Sequence, residues 1–208
     1  MTRRPTSLGP LLGVAVACAA PSPRSPPATC DYPTQLSSPS SWPRDFLWRQ
    51  HLVAAYRGQT HAFDAVLQKR GDELLLIGLT PFGTKAFVMQ QAALEVRLTS
   101  SSVPIELPFP PRYVFNDISR AYLQGVGAAP GSDGTRFVER NGESMQETWH
   151  DGRLLERRFR RESGDCPGEI VIRYVGGMID GRSPALIEFD NGWLGYHLSI
   201  ATLSEQDL

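Results

Sequence analysis

The chain has 208 residues, a formal net charge of -1 and 41% hydrophobic against 21% charged side chains, a balance of one-domain size that excludes a disordered or fibrous protein. Its 21 Lys and Arg nearly cancel its 22 Asp and Glu, which excludes a uniformly basic surface and with it nucleic acid as the main partner. Nine of the 17 prolines fall before residue 44, so the first fifth of the chain differs physically from the rest.

Arg3 and Arg4 precede an apolar stretch over residues 8–17 that ends in Ala-Val-Ala before Cys18. A charged start, a short apolar core and small residues at the cleavage point predict an export signal over residues 1–17. Ten apolar residues rise only about 15 Å as a helix, half of a bilayer core, so the segment is too short to span. Cys18 directly after Ala-Val-Ala resembles the lipobox of bacterial lipoproteins, although Ala15 stands where Leu is usual. That resemblance implies cleavage before Cys18 and acylation of its thiol, palmitate among the chains. With Ala19 following, it also implies sorting to the outer membrane, facing the periplasm. A plain secretory signal cut nearby and a cytosolic chain with an apolar start are the alternatives.

Residues 18–43 carry the lipidated cysteine and a Pro/Ser-rich stretch too poor in apolar side chains to pack. They read as a tether, about 3.1 Å per residue if extended as polyproline. The folded domain is expected over residues 44–208. No later run approaches 18 apolar residues, the length that a spanning helix needs. With Cys18 acylated, Cys30 and Cys166 remain as an even pair in an oxidising compartment. They are either a disulfide, contributing roughly 4 to 5 kcal/mol by closing a long loop, or two free thiols.

From residue 46 the pattern is mostly period two. Leu94, Val96 and Leu98 alternate with Glu95 and Arg97, Ile170, Ile172 and Tyr174 with Val171 and Arg173, and Tyr196, Leu198 and Ile200 with His197 and Ser199. These are strands with one buried face. Asn141-Gly142, Asp151-Gly152, Asp180-Gly181 and Asn191-Gly192 predict tight hairpin turns with positive φ. Glu73 to Leu79 is apolar on both faces, so both should be covered. One helix of about 12 residues interrupts the strands: Val114, Phe115, Ile118, Ala121 and Tyr122 recur at helical spacing, with Pro110-Pro111 at the start and Gly125 at the exit. Burying that stripe requires the sheet to wrap the helix. The expected fold is mainly β (α+β), a curved antiparallel half-barrel about a central helix.

Chemistry-bearing motifs are sparse. His51, His61, His150 and His197 show no metal-ligand spacing, and neither a Gly-x-Ser-x-Gly elbow nor a phosphate-binding loop occurs. Asp180, Glu188 and Asp190 cluster near a hairpin and read as a solvated turn. No catalytic residue, metal or cofactor is expected. The run from Arg153 to Arg161 is locally basic, and Arg157 and Arg161 share a strand face with Leu155 and Phe159. They are either headgroup-binding guanidiniums near an apolar mouth or members of cross-strand ion pairs.

The lipobox, the Pro-rich tether, Trp48-Arg49-Gln50-His51, Leu74-Leu75-Leu76-Ile77-Gly78-Leu79-Thr80-Pro81-Phe82-Gly83, the Pro-flanked helix and the final Tyr196-His197-Leu198-Ser199-Ile200 together resemble the LolA/LolB-like lipoprotein carriers. Phe63-Asp64-Ala65-Val66-Leu67, Gly78-Leu79-Thr80-Pro81-Phe82-Gly83 and Gly195-Tyr196-His197 are more closely similar to an uncharacterised family of bacterial outer-membrane lipoproteins associated with aryl-polyene gene clusters. The carrier resemblance implies an apolar cavity for acyl chains and, at Phe82 between Pro81 and Gly83, a residue that meets membrane or cargo. The alternative for Phe82 is a ring folded over the core. The functional expectation is a monomeric, non-enzymatic, outer-membrane-anchored carrier or acceptor of lipid or acylated cargo, serving a periplasmic carrier protein. A structural lipoprotein whose groove binds a partner protein and an accessory enzyme for an acylated product are the rivals.

Overall fold

The computed structural model describes residues 32, 36–42, 44–101, 109–124, 133–140, 143–161, 168–179 and 182–208. Among them are eleven strands: β1 (Phe46–Tyr56), β2 (Gln59–Arg70), β3 (Glu73–Leu79), β4 (Lys85–Ala92), β5 (Glu95–Ser101), β6 (Gly134–Arg140), β7 (Glu143–His150), β8 (Arg153–Arg161), β9 (Glu169–Met178), β10 (Leu186–Asn191) and β11 (Tyr196–Asp207). They form one sheet in the order β5-β4-β3-β2-β1-β11-β10-β9-β8-β7-β6, and every pairing is antiparallel. The first and last strands therefore meet at the centre, with a meander on either side. The chain leaves the sheet at one edge, β5, and returns at the other, β6. Helix α1 (Pro111–Tyr122) lies in that crossing and contacts strands of both arms, which is possible because the sheet curves around it. This is the curved antiparallel sheet about a central helix that the sequence leads one to expect.

The local signals divide. Asp151-Gly152 makes the expected positive-φ turn (48° and 69°), and Arg57-Gly58 makes another between β1 and β2 (49° and 78°). Arg in the left-handed region is uncommon enough for the second to escape notice in the sequence. Asn191-Gly192 does not form a two-residue turn. Asn191 ends β10 buried, its Oδ1 accepts from the Trp193 and Leu194 amides at 3.1 and 2.9 Å, and positive φ falls on Gly195 instead (70°). Asn141-Gly142, Asp180-Gly181 and Gly125 lie outside the described residues. On β3, Leu74 and Leu76 are buried but Leu75, Ile77 and Leu79 are only half-buried. Ile77 stands in register with Val66 and Val88, and no second layer covers that outer face among the described residues. The expectation of cover on both sides is thus corrected.

The expected boundary at residue 44 also shifts. Tyr32, Leu36 and Trp42, assigned above to the tether, are 4%, 6% and 6% exposed and belong to the core. Trp42 stacks on Phe46 at 5.0 Å between ring centres, and Phe46 on Trp48 at 3.8 Å. Polar contacts fix the backbone between them: Gln91 Nε2 donates to Ser37 O at 2.8 Å, and Ser38 Oγ to Asp72 at 2.6 Å. Widely spaced apolar residues among prolines give no periodic signal, so this strap looked like linker. Burying each of its large side chains contributes about 1.5–3 kcal/mol. A chain beginning at Arg44 should therefore melt roughly 10 to 20 °C below one beginning at Asp31. Equal melting temperatures would show that the strap adds nothing to the core.

Candidate functional site

Helix α1 is held by its polar side. Asp117 is buried and accepts hydrogen bonds from the Tyr32 and Tyr196 hydroxyls, from Arg120 Nη1 at 3.1 Å and from Asn191 Nδ2 at 3.2 Å. The Arg120 guanidinium continues to Glu143 at 2.9 Å and lies 4.9 Å from the centre of the Tyr32 ring. Burial, the largest influence, raises the Asp117 carboxyl above its ordinary range, while Arg120 and the two hydroxyls pull it down. Burial raises Glu143 likewise, with Arg120 opposing.

The far end of the helix is held in the same manner. Arg157 Nη1 donates to Arg120 O at 2.6 Å and Tyr174 Oη to Ala121 O at 2.6 Å, satisfying carbonyls that a helix terminus leaves without partners. The cation there also favours the negative end of the helix dipole. Glu147, itself fully buried, fixes Arg157 through Nε at 2.9 Å. Burial pushes the Tyr174 hydroxyl up to about 12.

With its polar side engaged, the helix turns Val114, Ile118 and Ala121 toward the sheet, where a cavity of about 780 Å³ opens. Opposite them stand Leu52, Phe63 and Phe87. Phe87 has room because its partner in register is Gly78, where an added Cβ would come within 2.1 Å of the ring. Gln50 closes the deep end, donating to Tyr122 Oη at 2.7 Å, and the β1–β2 turn with Arg57 and Gln59 forms the mouth. The expected helical stripe thus divides: Phe115 is fully buried in the core, while Val114, Ile118, Ala121 and Tyr122 also line the cavity. What anchors the helix is Asp117 and Arg120, polar residues that pattern reading assigns to solvent.

Phe82 is 93% exposed. Pro81 and Phe82 occupy the centre of a turn closed by Gly83 N to Thr80 O at 2.9 Å, with Gly83 at φ 76° and Thr84 N bonded to Thr80 Oγ1 at 3.2 Å. Because β1 to β4 run in alternating directions, this turn stands at the same end of the sheet as the mouth. Arg157 is 3% exposed and committed to Glu147 and the helix, so the headgroup reading is corrected for it: its guanidinium is a buried support. Arg161 pairs in register with Glu143. Leu155 does not share the face of Arg157 and Phe159, because the register shifts between Leu154 and Glu156 and Leu154 takes the inward place. Glu188 and Asp190 flank His197 at 3.0 and 2.7 Å on the outer face. Asp133, His150 and Asp151 form an exposed group with metal-ligating atoms, already joined by a His150–Asp133 contact of 2.6 Å. Cys18, Cys30, Cys166 and Asp180 lie outside the described residues.

Fold and site define a class: an antiparallel sheet folded over one internal helix, with an apolar cavity between them. Residues 47–204 match the family described as Protein of unknown function (DUF3261), and the chain belongs to that family. No curated protein matches it. Among solved structures it is similar to a LolA superfamily protein from Nitrosomonas europaea (12% identity, 82% of this chain and 91% of that one, TM-score 0.45). A second is described as an outer membrane lipoprotein-sorting protein domain from Vibrio parahaemolyticus (10% identity, 79% and 85%, TM-score 0.44). A third is a DUF1329 family protein from Desulfovibrio piger (9% identity, 79% and 85%, TM-score 0.31).

The Asp117 node makes a signed prediction. An unfolded Asp titrates near 3.9 and the folded one higher, so the folded state holds that proton more tightly. The stability from this group is greatest in acid and declines as pH rises from the unfolded value to the folded one. Asp117→Asn should flatten this decline in a plot of melting temperature against pH, with Glu143 keeping its own share. It should also cost about 1–3 kcal/mol, since the amide offers one acceptor oxygen to two tyrosine hydroxyls. An unchanged slope would contradict a raised Asp117.

Proposed function

We propose that this protein is a non-enzymatic carrier or acceptor of lipid or acylated cargo, exported, acylated at Cys18, tethered to the outer membrane facing the periplasm, and working as a monomer that exchanges cargo with a periplasmic carrier protein. One observation carries the reading: the cavity of about 780 Å³ walled by aliphatic and aromatic side chains. Acyl chains supply apolar surface alone, and each buried methylene contributes about 0.8 kcal/mol. The one carboxylate lining the cavity among the described residues, Asp117, is already engaged by two tyrosines, an asparagine and an arginine, which favours holding over turnover. Native mass spectrometry of the untethered domain, purified from its own periplasm, should show acyl lipid bound without a covalent link; a cavity that never carries lipid ends the proposal.

Phe82 belongs to the same reading. A large ring on a rigid turn beside the mouth has nothing to pack on within the described residues, and a membrane or the cargo would cover it. In a chain begun at Ala19, and so without the acyl anchor, Phe82→Glu should leave the melting temperature within about 2 °C, as exposed substitutions do, while reducing flotation with liposomes several-fold. If flotation persists, Phe82 leaves the site. For the anchor, stable membrane residence needs more than one acyl chain, which a triacylated Cys18 supplies. Cys18→Ser should leave the protein unprocessed or soluble, and normal fractionation of that variant would remove the lipid anchor.

A further inference from the structure

The wall of the cavity is graded along its length. On β2 the inward residues run from Leu67 at depth through Phe63 to His61 and Gln59 at the mouth, and burial falls along the same line, from 1% exposure at Leu67 to an exposed His61. Arg57 completes the rim. Its guanidinium lies 5.0 Å above the Tyr56 ring, which keeps it over the opening.

Neither of these two rim groups has a carboxylate partner among the described residues. His51, His150 and His197 each contact an aspartate, whereas no carboxylate meets His61 among the described residues. Arg49, Arg120, Arg157, Arg158, Arg160 and Arg173 are likewise ion-paired, whereas Arg57, in common with Arg97, Arg153 and Arg182, meets no carboxylate among the described residues. Among the described residues the only carboxylate lining the cavity, Asp117, is spent on the helix. The rim thus offers donors without a matching acceptor, above an apolar shaft.

Resting on the carrier reading, we propose that the cavity takes a single-chain anionic amphiphile, tail inward, its carboxylate or phosphate head held at Arg57 with His61 and Gln59 beside it. A guanidinium matches either oxyacid through paired N–H donors. The depth sets the tail. Along β1 the lining runs from Tyr56 at the mouth to Gln50, six strand residues or roughly 20 Å at about 3.3 Å each. An extended alkyl chain with 1.5 Å bonds advances about 1.25 Å per carbon, so roughly 16 carbons fill it.

The test is displacement of the neutral dye N-phenyl-1-naphthylamine from the full chain, below micellar concentrations. Palmitate and hexadecyl phosphate are compared with neutral 1-monopalmitoylglycerol. Both anions should bind about tenfold more tightly than the neutral lipid, the equivalent of one charge-assisted contact. Arg57→Gln, with an unchanged thermal melt, should erase that advantage and leave the neutral lipid unaffected. Palmitate binding alone would narrow the head to a carboxylate, and hexadecyl phosphate alone to a phosphate. If anions and neutral lipid bind equally, or Arg57→Gln changes nothing, the head contact is refuted while the carrier reading stands. If none of the three displaces the dye, the carrier reading itself falls. Affinity that keeps rising from 16 to 22 carbons would refute the depth limit.

Discussion

A carboxylate stripped of water at the middle of a helix has to be met by donors, and Asp117 is met from three directions: Tyr32 from the strap, Asn191 and Tyr196 from the centre of the sheet, and Arg120 from its own helix. Most amphipathic helices bury their apolar stripe against a sheet. Here Phe115 is buried in that manner, but a polar contact is added to it, and hydrogen bonds are directional where hydrophobic contact is not. The helix is therefore held at a set height above β1 and β2 instead of collapsing onto them. The cavity is the space this leaves.

The second constraint is topological. Two antiparallel meanders joined at β1 and β11 leave the middle of the chain to travel from one sheet edge to the other. Passing over the concave face is what brings α1 within reach of both arms. Its C-terminal carbonyls meet Arg157 and Tyr174 on one arm, and Gln50 of β1 meets Tyr122 on the other side. Sheet curvature, helix and polar anchors each need the other two, since a flatter sheet would pull Arg157 and Gln50 away from opposite flanks of one helix.

Much of this was legible in residue order. Alternation along Ile170, Ile172 and Tyr174 marks β9, the spacing of Val114, Ile118 and Ala121 marks the helix, and the curved fold follows from one stripe among many strands. Pattern fails where a polar residue is buried for a partner distant in sequence. Asp117 and Arg120 look like a solvent face until Tyr32, 85 residues away, is brought to them. Arg157 fails for the same reason, since Glu147 and the helix carbonyls draw it inward. The strap escaped because Tyr32, Leu36 and Trp42 follow no period. At the mouth, Arg57 was hidden by its turn, since the hairpin signals sought were Asn-Gly and Asp-Gly.

The pairing of the first strand with the last also governs how the molecule comes into being. β1 and β11 are joined across some 150 residues of intervening chain, and Tyr32 meets Asn191 over a still longer span. A chain emerging N-terminus first can assemble the β1–β5 meander early, but the inner edge of β1 stays open until the final strand arrives. Closing so long a loop is entropically slow, and an exposed apolar edge invites pairing with other chains in the interval. The helix cannot seat either until Tyr196 is in place to meet Asp117. The cavity is thus the last feature to form, and a chain shortened at its C-terminus by the length of β11 would lose the seam, the helix anchor and the cavity together.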